Sequence, residues 1–198
     1  MQCGMPISQK FLEKFDRNKV LDEFKLKEGM KTILFFAGGK MGLARKNIFE
    51  YMQILAKKAE TGEIQVIAIS GKNKKIYEKF KEISKECKNI KVLEFTSKVP
   101  ELMSISDICI TKPGGITSSE SLASNLPLLI INPIPGQEEE NAEYLEEIEV
   151  AIWVKPKQSF EEALEKILKK ENLEKLKENT KKYSNPNSAG DICKNILG

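Results

Sequence analysis

The sequence predicts an α/β fold, a doubly wound parallel sheet with helices on both faces. Three observations predict it. Short apolar runs of strand type alternate with amphipathic stretches, as a parallel sheet with helical crossovers requires. Two of the strand-to-helix turns are rich in glycine, Gly38-Gly39-Lys40-Met41-Gly42 and Gly114-Gly115. No internal repeat and no low-complexity segment interrupts the alternation.

Residues Met1 to Met30 read as irregular and polar, with an extended connector at Gly4-Met5-Pro6-Ile7 and a short helix around Lys19 to Phe24. A residue before proline avoids the helical region, which favours the extended reading. Thr32 to Ala37 is a buried strand. Ala44 to Glu60 carries Ile48, Tyr51, Met52, Leu55 and Ala59 at helical spacing. Ile64 to Ile69 is a strand, Lys74 to Lys85 a Lys-rich helix and Ile90 to Phe95 a third strand. Val99 to Ile105 is a short helix with Pro100 in its first turn, where proline is favoured. Ile108-Cys109-Ile110 is a strand, and a helix opens at Thr117. Leu128 to Ile131 is a strand, followed by a Pro-rich loop, Asn132 to Gly136, and a helix that starts near Gln137. Ala151 to Val154 is a last strand, and Ser159 to Leu197 is helical with a break at Asn185-Pro186.

With 198 residues, 40% of them hydrophobic and 31% charged, the chain suits one large domain or two small ones. The formal net charge of +3 is small and reads as evenly spread, which argues against a nucleic-acid partner. Arg17 and Arg45 are the only arginines, so an anion site must lean on backbone amides and helix ends. No histidine is present. Histidine triads, imidazole general bases and most zinc sites are thereby excluded. Cys3, Cys87, Cys109 and Cys193 are far apart and read as reduced cytoplasmic thiols, Cys109 in a buried strand. No signal peptide is expected, and no apolar run approaches the roughly 20 residues that span a bilayer.

The candidate chemistry sits in loops at strand ends, where open parallel sheets bind ligands. Glycines at such turns let backbone approach a ligand, and a helix N-terminus offers unpaired N–H groups and partial positive charge. Gly38 to Gly42 matches neither the P-loop nor the dinucleotide fingerprint, and a tight turn explains it as well as a phosphate loop does. Thr117-Ser118-Ser119-Glu120 fits a capping box, which the residues favour over a Glu120 that accepts from a ribose diol. Gln137, Glu138 and Asn141 follow a rigid lead-in, Pro133-Ile134-Pro135-Gly136. They suit recognition of vicinal hydroxyls, although Glu138-Glu139-Glu140 also makes a favourable acidic first turn.

These residues carry a resemblance. Ile110-Thr111-Lys112-Pro113-Gly114-Gly115-Ile116-Thr117, then Ser119-Glu120, then Asn132-Pro133-Ile134-Pro135-Gly136-Gln137-Glu138 and Asn141-Ala142 resemble the C-terminal donor-binding domain of glycosyltransferase family 28. The likeness is to the diacylglycerol glucosyl- and galactosyltransferase branch, and more distantly to MurG-type N-acetylglucosaminyltransferases. It runs from Gly4-Met5-Pro6-Ile7-Ser8 to nearly the end of the chain.

The resemblance implies a GT-B architecture of two Rossmann-like domains, with a UDP-sugar held by the C-terminal one. Residues 1–30 would be connector and N-terminal extension, and residues 31–198 the donor-binding domain. Gly38 and Gly39 would line the diphosphate, and the Phe95-Thr96 backbone would meet the uracil. Gly114 belongs to the phosphate turn, and Gly115, Ile116 and Thr117 would offer amides to the phosphates. Glu120 would hold the ribose hydroxyls, Gln137 and Glu138 the sugar hydroxyls, and Asn141 would sit near the phosphates.

No cofactor and no metal are expected, since amides and helix dipoles take over the stabilisation of leaving UDP. The family's acceptor-binding, membrane-associated N-terminal domain and its general base have no counterpart here, so no catalytic residue is assigned. The expectation is a cytoplasmic half-enzyme of inverting hexosyl transfer, peripheral to the membrane when whole, with a lipid acceptor such as diacylglycerol. Other readings are a UDP-N-acetylglucosamine transferase of MurG type, a donor-binding subunit of a split enzyme, a UDP-N-acetylglucosamine 2-epimerase, and a non-catalytic nucleotide-sugar module.

Overall fold

The computed structural model describes residues 5–38, 47–185 and 187–197. In chain order the elements are α1 (Arg17–Glu23), β1 (Lys31–Phe36), α2 (Asn47–Glu60), β2 (Ile64–Ile69), α3 (Lys74–Ile83), β3 (Ile90–Leu93), α4 (Val99–Ile105) and β4 (Ile108–Thr111). There follow α5 (Gly115–Ala123), β5 (Leu128–Ile130), α6 (Gln137–Glu147), β6 (Ala151–Trp153), α7 (Phe160–Leu168), α8 (Lys170–Tyr183) and α9 (Ser188–Leu197). A 3-10 turn at Gln9–Leu12 precedes them. The six strands form one sheet in the order β3-β2-β1-β4-β5-β6, with helices on both sides. Every recorded strand pairing is parallel.

The chain divides into two compact units, Phe15–Thr111 and Met1–Lys14 with Lys112–Gly198. In the first, β1 pairs with β2 in the register Ile33↔Val66 and with β4 in the register Ile33↔Ile108. Both pairs need apolar side chains on both faces, and Ile33, Leu34, Phe35, Val66, Ile67 and Cys109 are fully buried. Phe80 of α3 stacks on Phe35 at 5.6 Å between centroids and meets Phe49 of α2 edge-on at 6.2 Å.

Polar groups close the amino ends of these strands. The buried Gln65 side chain accepts from Lys27 N at 2.8 Å and donates to Lys27 O at 2.9 Å and Thr32 Oγ1 at 3.0 Å. Gln65 is buried in β2 without leaving a polar atom unpaired, which would otherwise cost about 1–3 kcal/mol. Asp107 Oδ2 accepts from Thr32 N at 2.9 Å while Asp107 N donates to Thr32 O at 2.7 Å, extending the β1–β4 pairing. Caps define the helix starts: Asp16 accepts from Asn18 N and Lys19 N, and Asn73 from Ile76 N.

In the second unit β5 pairs with β6 in the register Leu129↔Ile152. Helix α7 starts behind Ser159, whose hydroxyl accepts from Glu162 N at 3.3 Å, and buries Phe160, Ala163, Leu164, Ile167 and Leu168. Ser188 of α9, fully buried, donates to the Met5 carbonyl at 2.8 Å. That bond ties the connector to the last helix.

Several boundaries differ from those the sequence predicts. The third strand stops at Leu93, so Phe95 and Thr96 lie in the loop beyond it. The third helix stops at Ile83, capped by Ser84, whose N–H donates to Phe80 O. The C-terminal helical stretch has an additional break at Lys169, extended at ψ 130, between α7 and α8. The predicted start of α2 at Ala44 lies outside the described residues. Charge is not evenly spread: Phe15–Thr111 holds 19 of the 32 Lys and Arg but 13 of the 29 Asp and Glu, a formal +6, leaving a formal −3 elsewhere.

Candidate functional site

The site candidates of the Lys112–Gly198 unit come from three consecutive pieces: the Lys112-Pro113-Gly114 turn, the first turn of α5, and the loop from Asn132 into α6. Gly114 N donates back to Lys112 O at 2.8 Å, folding the turn tightly after proline. Helix α5 then starts at Gly115, two residues before the Thr117 start that the sequence predicts. The reason is local. Pro113 fixes the chain direction, and Gly114, extended at φ −70 and ψ 135, stands as the cap residue.

This correction removes the capping box. With the cap at Gly114, Glu120 sits in the second turn, beyond reach of the cap amide, and no side chain caps α5. The first helical bond is Ser118 N to Gly114 O at 2.9 Å, so the amides of Gly115, Ile116 and Thr117 have no intrahelical acceptor. Glu120 is half-buried and has no recorded hydrogen-bond or ion-pair partner; burial raises its carboxyl above the usual carboxylate pKa.

The glycines differ in what the fold asks of them. Gly114 has an ordinary φ, and a Cβ there would meet nothing within 4 Å. Neither a left-handed φ nor packing demands glycine at that position; glycine is a favourable helix cap there, and its bare backbone leaves the helix start open to close approach. At Gly115 a Cβ would stand 2.8 Å from Met5 Cε, the mobile end of a side chain. Gly136, at φ +93 and ψ −127, occupies a region that side chains rarely enter.

The Pro-rich loop is pinned from α6. Glu138 Oε2 accepts from Ile134 N at 2.8 Å, and its Oε1 accepts from Lys112 Nζ at 3.1 Å. Asn141 Nδ2 donates to Pro113 O at 3.0 Å. Glu139 Oε2 accepts from Gly136 N at 3.4 Å, so the acidic first turn of α6 also caps it. Gln137 is exposed. The structure thus brings Glu138 and Asn141 onto the Lys112–Gly114 turn, and gives both a role in holding loops.

In the Phe15–Thr111 unit, Gly38 follows β1 and packs on the end of β2. A Cβ at Gly38 would lie 2.6 Å from Ser70 O, so the tight-turn reading of this glycine has a physical basis. Gly39 lies outside the described residues. Phe95 is 71% exposed with Lys72 Nζ 6.0 Å from its ring centroid, an aromatic face without a packed partner. Thr96 Oγ1 accepts from Lys98 N at 3.1 Å.

Sequence reasoning missed three groups. Lys112 carries the ion pair to Glu138, and its place directly before Pro-Gly-Gly was the available signal. Asn132, at φ +46, buries an Nδ2 without a partner at the start of the Pro-rich loop. Ser118 and Ser121 bury unpaired hydroxyls on one face of α5, a pattern that reads from sequence as ordinary helix. Among the described residues no group of three His, Cys, Asp or Glu could hold a metal ion, and no helix is long and apolar enough to cross a membrane.

Comparison with known proteins gives the family and the fold. A processive diacylglycerol beta-glucosyltransferase of Bacillus licheniformis is 32% identical over 196 residues, covering 98% of this chain and 50% of its own. The chain therefore spans about half the length of the curated relatives it matches. Crystal structures of Acinetobacter baumannii MurG (TM-score 0.70, 15% identity, 96% of this chain and 55% of that one) and of Neisseria meningitidis UDP-GlcNAc 2-epimerase bound to UDP-GlcNAc (0.71, 18%, 91% and 48%) share the fold. The model of the glycosyltransferase family 28 C-terminal domain matches residues 33–196, and the chain belongs to that family.

Proposed function

We propose that this chain is the UDP-sugar-binding half of an inverting glycosyltransferase that moves a hexose to a lipid acceptor such as diacylglycerol. One observation carries the reading: three amides without an intrahelical acceptor open α5 behind Gly114, where a Cβ would meet nothing within 4 Å. Such amides, with the helix dipole behind them, favour the diphosphate most as it gains charge on leaving. Glu120 accepts from the ribose hydroxyls. Gln137 and Glu138 accept from and donate to the hexose as their groups allow, Glu138 while anchored by Lys112. The relatives' glycolipid activity supports the acceptor class.

In this reading the acceptor oxygen attacks the anomeric carbon, the bond from that carbon to the diphosphate oxygen breaks, and UDP leaves with the electron pair. The acceptor's proton goes to a base in the half of the relatives that this chain does not match. No divalent cation is required, because the amides face the developing charge.

Calorimetric titration with UDP, UDP-glucose, UDP-galactose and UDP-N-acetylglucosamine, in chelator, tests the reading. Binding of UDP and stronger binding of one UDP-hexose support it. No heat with any of the four, from folded protein at millimolar nucleotide, contradicts it.

A further inference from the structure

The Phe15–Thr111 unit has a second feature that nucleotide binding does not use. Strand β3 is an edge of the sheet, and beside it lies a groove of about 570 Å³. Lys25, Lys81, Lys85, Lys88 and Lys91 line it against one carboxylate, Glu23. That carboxylate is ion-paired to Lys98. None of the five lysines has a recorded carboxylate partner among the described residues, and the unit around them carries a formal +6.

We propose that this edge is a contact surface for the phosphates of an anionic lipid bilayer. The choice of a lipid partner rests on the glycolipid reading above; the charge does not. The chemistry favours a fluid array of phosphates over other polyanions. All five cations are lysine, compact point charges on flexible stems, with no planar arginine fork to read a fixed geometry. Phe24, half-buried, is the one aromatic of the lining, so base stacking has little to work with. An acidic peptide strand is disfavoured because β3 spans four residues with Lys91 in its middle, the device that blunts edge pairing. Lysines at such a surface bring the acceptor's bilayer to the donor-binding half.

Each lysine near an anionic surface contributes about a fivefold gain in partitioning. The test is co-sedimentation of the full chain, without nucleotide, with vesicles of 30% phosphatidylglycerol in phosphatidylcholine and with pure phosphatidylcholine. The proposal expects binding to the first only, weakening steeply with salt. Lys81, Lys85 and Lys88 exchanged together for Gln should cut it by about a hundredfold. Exchange of Lys177, Lys181 and Lys182 on α8 should change it little. Equal loss in both variants, no binding by the wild type, or tighter lysine-dependent retention on single-stranded RNA than on vesicles would each overturn it. Calorimetry with UDP on the same variants separates the two readings, because loss of vesicle binding with UDP binding intact leaves the nucleotide site standing.

Discussion

Asn141 Nδ2 donates to the Pro113 carbonyl at 3.0 Å, so helix α6 holds the turn from which α5 springs. Asn141→Ala should cost about 1 kcal/mol of stability and weaken UDP binding several-fold as the turn loosens. Asn141→Asp should do no better, since a carboxylate cannot donate. Chemical denaturation with parallel calorimetry checks this, and unchanged affinity in both variants would contradict it.

Gly114 and Gly136 give opposite expectations. Gly114→Ala should cost no more than about 1 kcal/mol of stability, from the poorer helix cap that alanine makes, because its φ of −70 and the open space around it accept a methyl group. UDP affinity should nevertheless drop roughly tenfold, about 1.4 kcal/mol. Gly136→Ala forces a side chain to φ +93 and should cost about 1–3 kcal/mol of stability. Thermal melts and UDP titrations on both variants distinguish the two.

Glu120 titrates in a direction that can be measured. Burial raises its folded-state pKa above the unfolded value, so its charged form costs stability, a cost absent at low pH and incurred as pH rises through that range. Glu120→Gln should therefore raise the melting temperature at neutral pH. Ribose hydroxyls donate to the carboxylate and prefer it charged. UDP affinity should be full above the free protein's Glu120 pKa and fall as pH drops through it, and Glu120→Gln should lose about tenfold at neutral pH together with that pH dependence. A variant with wild-type affinity and pH profile would remove Glu120 from the site.

The Lys112–Glu138 pair, with 28% and 20% side-chain exposure, is screened less than a surface pair. A double-mutant cycle of Lys112→Met and Glu138→Gln should give about 1 kcal/mol of coupling. Zero coupling would leave the Ile134 amide as the anchor of Glu138 and remove Lys112 from that role.

Much of this was legible in the sequence because apolar period and turn chemistry agreed. Ile64–Ile69 and Val99–Ile105 match their predicted bounds because glycine turns flank the strand at both ends and Pro100 marks the start of the helix. The start of α5 was misplaced because Thr-Ser-Ser-Glu is a good local cap, and only the Pro113-Gly114 backbone decides against it. The break at Lys169 has no glycine or proline to announce it. Long-range partners such as Lys112 with Glu138, 26 residues apart, are set by how the loops fold onto α6. Single-sequence patterns do not encode that.

The central claim is that amides at the start of α5 receive a diphosphate. Amide-resolved NMR of the labelled chain, titrated with UDP in chelator, tests it most directly. The account predicts large, saturable shifts at Gly115, Ile116 and Thr117, which need about tenfold more UDP to saturate in Gly114→Ala while the remaining spectrum stays folded. Saturating UDP that leaves those three amides unmoved would contradict it.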